Sequence, residues 1–319
     1  MTSKIRNPRF VIITGAGSGI GRATALRFGK AGSEVLCTDI NAETSAETAA
    51  MIIAAGGKAR SERLDVTDDD AWQALAKRLR DEGQLIELLV NNAGVGVVGA
   101  FLAHSKDDWD RQINVNLNGV VNGCRAVAPL MVEARHGHIV NIASVAAYTP
   151  FGMMPSYCVS KASVRMFSEC LRLELAPHNV GVSAICPGAV ATNIVKNSEF
   201  HGDVGIEDMD HKKEVAGEVA VKYGQIFRSP NRIAWAIERA ARRNQAVVPV
   251  RPEAWLGYLA HRASPTLMRI VIGQATPARL KFAGNLADRL VLRKATEILG
   301  PIFAPEAFAE EPTPAKSGK

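Results

Sequence analysis

The chain has 319 residues, 47% of them apolar and 22% charged, with a formal charge of +6. That length and balance suit a folded protein of one large domain or two small ones and exclude an extended disordered chain. Five scattered cysteines, Cys37, Cys124, Cys158, Cys170 and Cys186, have neither the density of a disulfide scaffold nor the close pairing of a zinc site. No run reaches 18 apolar residues, and the opening MTSKIRNPRF lacks the apolar stretch of a signal peptide. The expectation is a reduced, cytoplasmic protein without a metal site, since the seven histidines show no ligand spacing. The basic residues are spread out, with no finger, basic helix or aromatic-laced groove, so nucleic acid is not expected as a partner.

The first predicted strand, RFVIITG, runs into TGAGSGIGRA, Thr14 to Ala23, which opens a helix from Gly21 to Ala31. Gly15, Gly19 and Gly21, with Ser18 and Ile20 between them, let the backbone turn tightly and bring a pyrophosphate against free N–H groups at the helix start. The second strand, SEVLCTD, ends at Asp39, 18 residues beyond Gly21. Its carboxylate suits the hydroxyls of an adenosine ribose and repels a 2'-phosphate, and the following Ile40, Asn41 and Ala42 bring no cation. NAD is therefore expected over NADP. A helix from Ala42 to Ala55 leads to KARSERLDV, where Asp65 and Val66 either meet the adenine or, for Asp65, merely cap the turn into VTDDDAW. A helix from Asp69 to Glu82 is followed by ELLVNNAG, whose Asn92, Ala93 and Gly94 combine small size with an amide that can tie neighbouring backbone.

A long helix is expected from Lys106 to Ala134, and then the strand GHIVNIAS, which brings Ser144 to the carboxyl edge of the sheet. In SVAAYTPFGMMPSYCVSK, Tyr157 and Lys161 stand four apart on a helix running from Tyr157 to Ala176 and so share a face. Hydride transfer from a carbinol to a nicotinamide needs a proton relay, and a phenol of pKa about 10 is a poor base unless a nearby ammonium, together with the positive nicotinamide ring, favours its anion. Ser144 can hold the substrate oxygen. Tyr148, Phe151, Met153 and Met154 are expected to line the substrate pocket, with plain packing as the alternative. Cys158 has no histidine partner and is expected to be inert.

The strand VGVSAICPG ends at Pro187 and Gly188. Residues 192–230 then form a charged stretch with a helix from Lys212 to Tyr223, expected to be a lid or substrate loop. QAVVPV is a late strand, and helical patterns follow from Glu253 to Ala263, Pro265 to Ile272 and Pro277 to Leu299. Short apolar strands alternating with amphipathic helices argue for an α/β, doubly wound parallel sheet over 1–250. Residues 251–300 read as a helical extension and 301–319 as a frayed tail. From Arg251 to Leu299 eight basic residues face three acidic ones, and the apolar stripes suit a cover over the substrate mouth, an oligomer contact or an anionic membrane surface.

The glycine turn, NNAG, Ser144, the Tyr157/Lys161 pair and PGxxxT, in this order, resemble the short-chain dehydrogenase/reductase family over about residues 8 to 250. The resemblance implies a Rossmann-type fold, with Gly15, Gly19 and Gly21 on the cofactor, Asp39 as the NAD-selecting acid and Asp65 at the adenine. It adds Asn116, flanked by Asn114 and Asn118, to a tetrad with Ser144, Tyr157 and Lys161. Pro187, Gly188, Val190 and Thr192 correspond to the segment passing the nicotinamide. It implies a homo-oligomer, dimeric through the long helices 106–134 and 157–176, with tetramers through the late strand and its helix. The expected reaction is alcohol–ketone interconversion on a lipophilic secondary alcohol with NAD. Alternatives are NADPH-dependent reduction of an oxoacyl or other carbonyl compound and a non-catalytic dinucleotide-binding scaffold. The helices after the late strand depart from the ordinary family length.

Overall fold

A computed structural model describes residues 5–99, 101–151, 154–188, 199–200 and 230–266. Expectations for residues 192–198 and 201–229, for 267–319, and for Met153, Val190 and Thr192 lie outside these residues.

Seven parallel strands form one sheet in the order β3-β2-β1-β4-β6-β7-β9. They are β1 (Phe10–Thr14), β2 (Glu34–Asp39), β3 (Lys58–Arg63), β4 (Leu88–Asn91), β6 (Gly137–Ile142), β7 (Val180–Pro187) and β9 (Val247–Val250). A separate two-residue ladder joins β5 (Val97–Val98) to β8 (Glu199–Phe200). The chain leaves β1 towards β2 on one side and returns to β4 on the other, so the order reverses at the β1–β4 seam. Loops diverge there at the carboxyl ends of the strands, which opens a crevice.

Alternate side chains of each strand point to opposite faces, and both faces are covered. Phe10, Ile12, Leu89, Ile139 and Val182 pack with α3 (Asp69–Asp81), α5 (Gly119–Glu133) and α6 (Pro155–Leu175). Val11, Ile13, Leu88, Val90 and Val140 pack with α1 (Gly19–Lys30), α2 (Ala42–Ala54) and α7 (Asn231–Arg243). Two-sided burial is why the strands read as continuous apolar runs rather than alternating ones. Trp72 of α3 is fully buried, and its indole N–H donates to Val66 O at 3.2 Å. No helix among the described residues is long and apolar enough to cross a membrane.

The long helix expected from Lys106 to Ala134 is interrupted. α4 (Lys106–Ile113) passes into a π-helical turn, Asn114–Asn118, before α5 begins. A π turn widens the helix by one residue and frees backbone groups, a local cost met at functional sites. Beyond β9, α8 (Pro252–Ala263) packs against β9 and the turn after Ser144.

His138 at the start of β6 is fully buried, with Nε2 2.8 Å from Ser183 Oγ. Burial, and then the charge of Arg172, lower its pKa from 6.5 to about 3. Between those values the unfolded chain binds a proton that the folded chain refuses, so stability rises with pH across that window. Urea midpoints measured from pH 3 to 6.5 should climb, and His138→Gln should flatten the slope.

Candidate active site

The crevice is built from a threonine and an asparagine. Thr14 Oγ1, at the end of β1, accepts the backbone N–H groups of Asn92 and Ala93 at 2.9 and 3.0 Å. The Asn92 amide donates back to the carbonyl oxygens of Thr14 and Gly15, at 2.9 and 3.2 Å. These bonds hold the NNAG turn against the glycine turn. Gly15 has φ +62°, and a Cβ there would lie 2.9 Å from the Asn92 amide nitrogen and 3.0 Å from Ala93 Cα. At Gly21 a Cβ would overlap the Gly15 carbonyl oxygen. α1 starts at Gly19, with Ser18 at its N-cap, Ile20 half-buried against the core and no acid in the first turn. The unpaired N–H groups of that turn and the helix dipole therefore face the crevice unopposed, which fits a pyrophosphate.

Asp39 closes the outer end. One carboxylate oxygen accepts the Gly17 N–H at 2.9 Å, the other the Asn41 N–H at 3.0 Å, and each keeps a lone pair for a further donor. Gly17 was not singled out from the sequence, yet a side chain there would collide with Thr44 of α2 and with Asp39. Asp65 Oδ1 accepts from both the N–H and the hydroxyl of Thr67, at 2.9 and 2.8 Å, so it does cap its turn. Val66 is buried, and its carbonyl also accepts from Asn122.

At the other end of the crevice, Ser144 follows β6, and its Oγ accepts the Ala146 N–H at 3.1 Å. It lies within hydrogen-bonding reach of the Tyr157 phenol, and this contact works against burial, which pushes the phenol pKa up. Lys161 is 3% exposed and donates to the Ile142 carbonyl at 2.9 Å, with Nζ 5.8 Å from the Tyr157 ring centre. Burial lowers the Lys161 pKa from 10.5 to about 8. From the sequence, the lysine and a positive nicotinamide ring together are expected to favour the phenolate; in the protein without the ring, burial is the largest influence on the phenol and holds its pKa up.

Asn116 sits inside the π turn and is fully buried, whereas Asn114 and Asn118 are exposed and bonded to each other. Its side chain accepts from Val95 N–H at 2.8 Å and donates to Val95 O at 3.0 Å and to Ser160 Oγ at 3.3 Å. Ser160 in turn donates to the Tyr157 carbonyl at 2.8 Å. Gln112, also fully buried, donates to Val95 O at 2.9 Å and accepts from Ser156 at 3.2 Å. Gln112, Ser156 and Ser160 carry no motif, and only their positions one helical turn from Asn116 and beside Tyr157 could have drawn attention. Gly94 adjoins this knot, since a Cβ there would lie 3.1 Å from Asn116 Oδ1 and 3.6 Å from Lys161 Nζ.

Tyr148, expected in the pocket wall, is only 4% exposed. Its ring packs edge-on against Tyr258 of α8 at 5.2 Å, near His261 and under the Arg165 guanidinium, so its surroundings are those of packing. Phe151 and Met154 are half-buried at the start of α6. Cys158 Sγ accepts the Phe151 N–H at 3.4 Å, and burial raises its pKa, which is unfavourable to a nucleophile. Pro187 ends β7, and Gly188 N–H bonds to Val250 O at 3.0 Å, which ties this segment to β9. Among the described residues there is no cluster suited to a metal ion.

A family model described as short chain dehydrogenase matches residues 9–201. The chain belongs to that family. This short-chain dehydrogenase is 43% identical over 261 residues to "Probable oxidoreductase EphD" of Mycobacterium tuberculosis, an alignment covering 81% of this chain and 44% of the other. It thus spans less than half of that relative. A solved short-chain dehydrogenase/reductase from Burkholderia phymatum in complex with NAD superposes with a TM-score of 0.70 at 29% identity, covering 81% of this chain and 94% of that one. A metagenomic short-chain oxidoreductase in complex with NADP gives 0.62 at 30% identity, covering 76% and 96%. In this short-chain dehydrogenase the crevice fits a dinucleotide, and the glycine contacts test that fit. Gly21→Ala should weaken binding of reduced dinucleotide, read by fluorescence titration, by about tenfold or more (~1.4 kcal/mol).

Proposed function

We propose that the chain is an NAD-dependent oxidoreductase interconverting a secondary alcohol and its ketone, with a lipophilic substrate. The observation that carries this reading is the Ser144–Tyr157–Lys161 group, set at the carboxyl edge of the sheet beside a crevice that fits a dinucleotide. A bound oxidised nicotinamide supplies the hydride acceptor and a positive charge. Ser144 holds the substrate oxygen, and Tyr157 takes its proton as the carbinol carbon loses hydride. Lys161, one helical turn away and bonded to the Ile142 carbonyl, would steady the phenolate and would hold the ribose of a bound dinucleotide. Asn116 secures the π turn behind the lysine.

Asp39 supports NAD, because backbone N–H groups of Gly17 and Asn41 hold its carboxylate at the end of β2, where its negative charge would repel a ribose 2'-phosphate. Arg22, a basic residue near this end, is engaged by Thr48 and Glu47 of α2. The NADPH-dependent carbonyl reductase reading has one observation in its favour, the exposed Arg63 that stands opposite Asp39 in the β2–β3 register. Residues from Pro187 through Gly188 to Val190 and Thr192 are assigned to the nicotinamide side, and Phe151, Met153 and Met154 to the substrate side. A homodimer through α6 is supported by Val159, Met166 and Leu173, exposed apolar residues seven apart along one stripe. Free cysteines support a reducing, cytoplasmic setting.

Competitive titration should show NADH bound more tightly than NADPH, and equal or tighter NADPH binding would overturn the role of Asp39. Tyr157→Phe should reduce alcohol oxidation by roughly 10²–10⁴-fold with dinucleotide affinity retained. Because the Tyr157 pKa is raised, the phenolate is scarce at neutral pH, so oxidation in the wild type should accelerate as pH rises. A flat profile in NADH-formation assays of graded secondary alcohols would contradict this.

A further inference from the structure

The outer face of α7 is basic and aromatic in a way the proposed reaction does not use. Its inner face, Ile233, Ala234, Ala236, Ile237, Ala240 and Ala241, is buried against the sheet. That turns Arg232, Trp235, Arg239, Arg242 and Arg243 outward. Two grooves of about 350 Å³ each flank Trp235. One lies between α7 and the start of α8 and is walled by Arg232, Arg239 and Trp255. The other is walled by Arg6, Arg27, Arg242 and Arg243. The carboxylate in their walls, Glu238, is already paired with Arg27 and Arg242. The Arg239 guanidinium lies 5.2 Å over the Trp235 ring, and its buried Nε has no hydrogen-bond partner among the described residues.

The apolar part continues from the same place. Trp235 and Trp255 are 46% and 47% exposed. On α8, Leu256 and Leu259 are 71% and 55% exposed, and together with Trp255 they occupy one helical face. Exposed indoles and leucines beside a field of arginines match the boundary between water and lipid, where the rings sit among headgroups and the cations meet anionic lipid.

A second copy of the chain, which the family resemblance would seat here in a tetramer through β9 and α7, is a poorer occupant on grounds of charge. A two-fold contact through this face would bring the same arginines together from both sides, within the screening distance of about 8 Å. An acidic protein would meet the arginines but leaves the exposed leucines unexplained. We propose that the α7–α8 face docks the protein on an anionic lipid surface, through arginine contacts to headgroups and shallow insertion of Trp235, Trp255, Leu256 and Leu259. A protein held in this way meets lipophilic alcohols where they partition. Docking does not depend on the proposed oxidoreductase activity, because it is read without substrate.

Sedimentation of the full chain with phosphatidylcholine vesicles, with and without phosphatidylglycerol, tests it. The expected result is binding only to the anionic vesicles, weakened by salt, with blue-shifted tryptophan emission. Each arginine near such a surface is worth about fivefold in affinity, so Arg232→Glu/Arg239→Glu/Arg243→Glu should lose at least roughly 100-fold. Trp235→Ala/Trp255→Ala should lose the blue shift. Failure to bind, equal binding to neutral vesicles, or unchanged binding by the charge-reversed variant would overturn the proposal. So would soluble polyglutamate binding in place of vesicles, or dissociation of an oligomer on charge reversal. Dinucleotide binding by both variants, expected to be unchanged, reports that they are folded.

Discussion

The rest of the site hangs from one reciprocal set of hydrogen bonds, between Thr14 at the end of β1 and Asn92 just beyond β4. At this seam the sheet changes direction, and two turns must approach more closely than ordinary side chains allow. Glycine at 15 and 21 permits the approach, and the Asn92 amide absorbs carbonyl groups that would otherwise be stranded. From the seam, the first turn of α1 is aimed outward on one side, while Gly94 is laid against Asn116 and Lys161 on the other. Cofactor geometry and proton-relay geometry thus share one anchor.

The second constraint is electrostatic. A tyrosine and a lysine share a dry edge of the sheet, where burial disfavours the charged form of each. The lysine is satisfied by the Ile142 carbonyl, and the phenol has Ser144. The chain by itself therefore favours the protonated phenol, while the lysine, lowered to about 8, keeps its charge at neutral pH. A positive charge placed beside the phenol would favour its anion by Coulomb attraction.

Buried polar side chains beside this pair also set register. Asn91 and Asn141 are opposed in the β4–β6 ladder and bonded to each other at 2.9 Å, and Asn141 continues to Ser168 of α6. With Asn116, Gln112 and Ser160 they fix α6 against the sheet from two directions, so the helix bearing Tyr157 and Lys161 has little freedom to slide. On the opposite side of the sheet, α7 packs through an apolar inner face, its Glu238 pairs with Arg27 of α1, and Arg232, Arg242 and Arg243 are exposed.

The sequence by itself determined the layered fold, because strands buried on both faces must be apolar throughout and helices buried on one face must be periodic. It also singled out the glycine turn, Asp39, Ser144, Tyr157 and Lys161 as candidates, because a phosphate cradle and a proton relay each demand particular residue types at short spacing. Choosing Asn116 over Asn114 and Asn118 rested on resemblance alone, since helical spacing does not separate them. Burial in the π turn separates them physically. Only the tertiary structure decided that Gly17 braces Asp39, that the helix from Lys106 breaks, and that Tyr148 lies beneath Tyr258. The physical reason is range. Residues a few positions apart reveal their relation through periodicity, whereas Gly17 and Asp39, or Tyr148 and Tyr258, meet only when the sheet brings distant segments together.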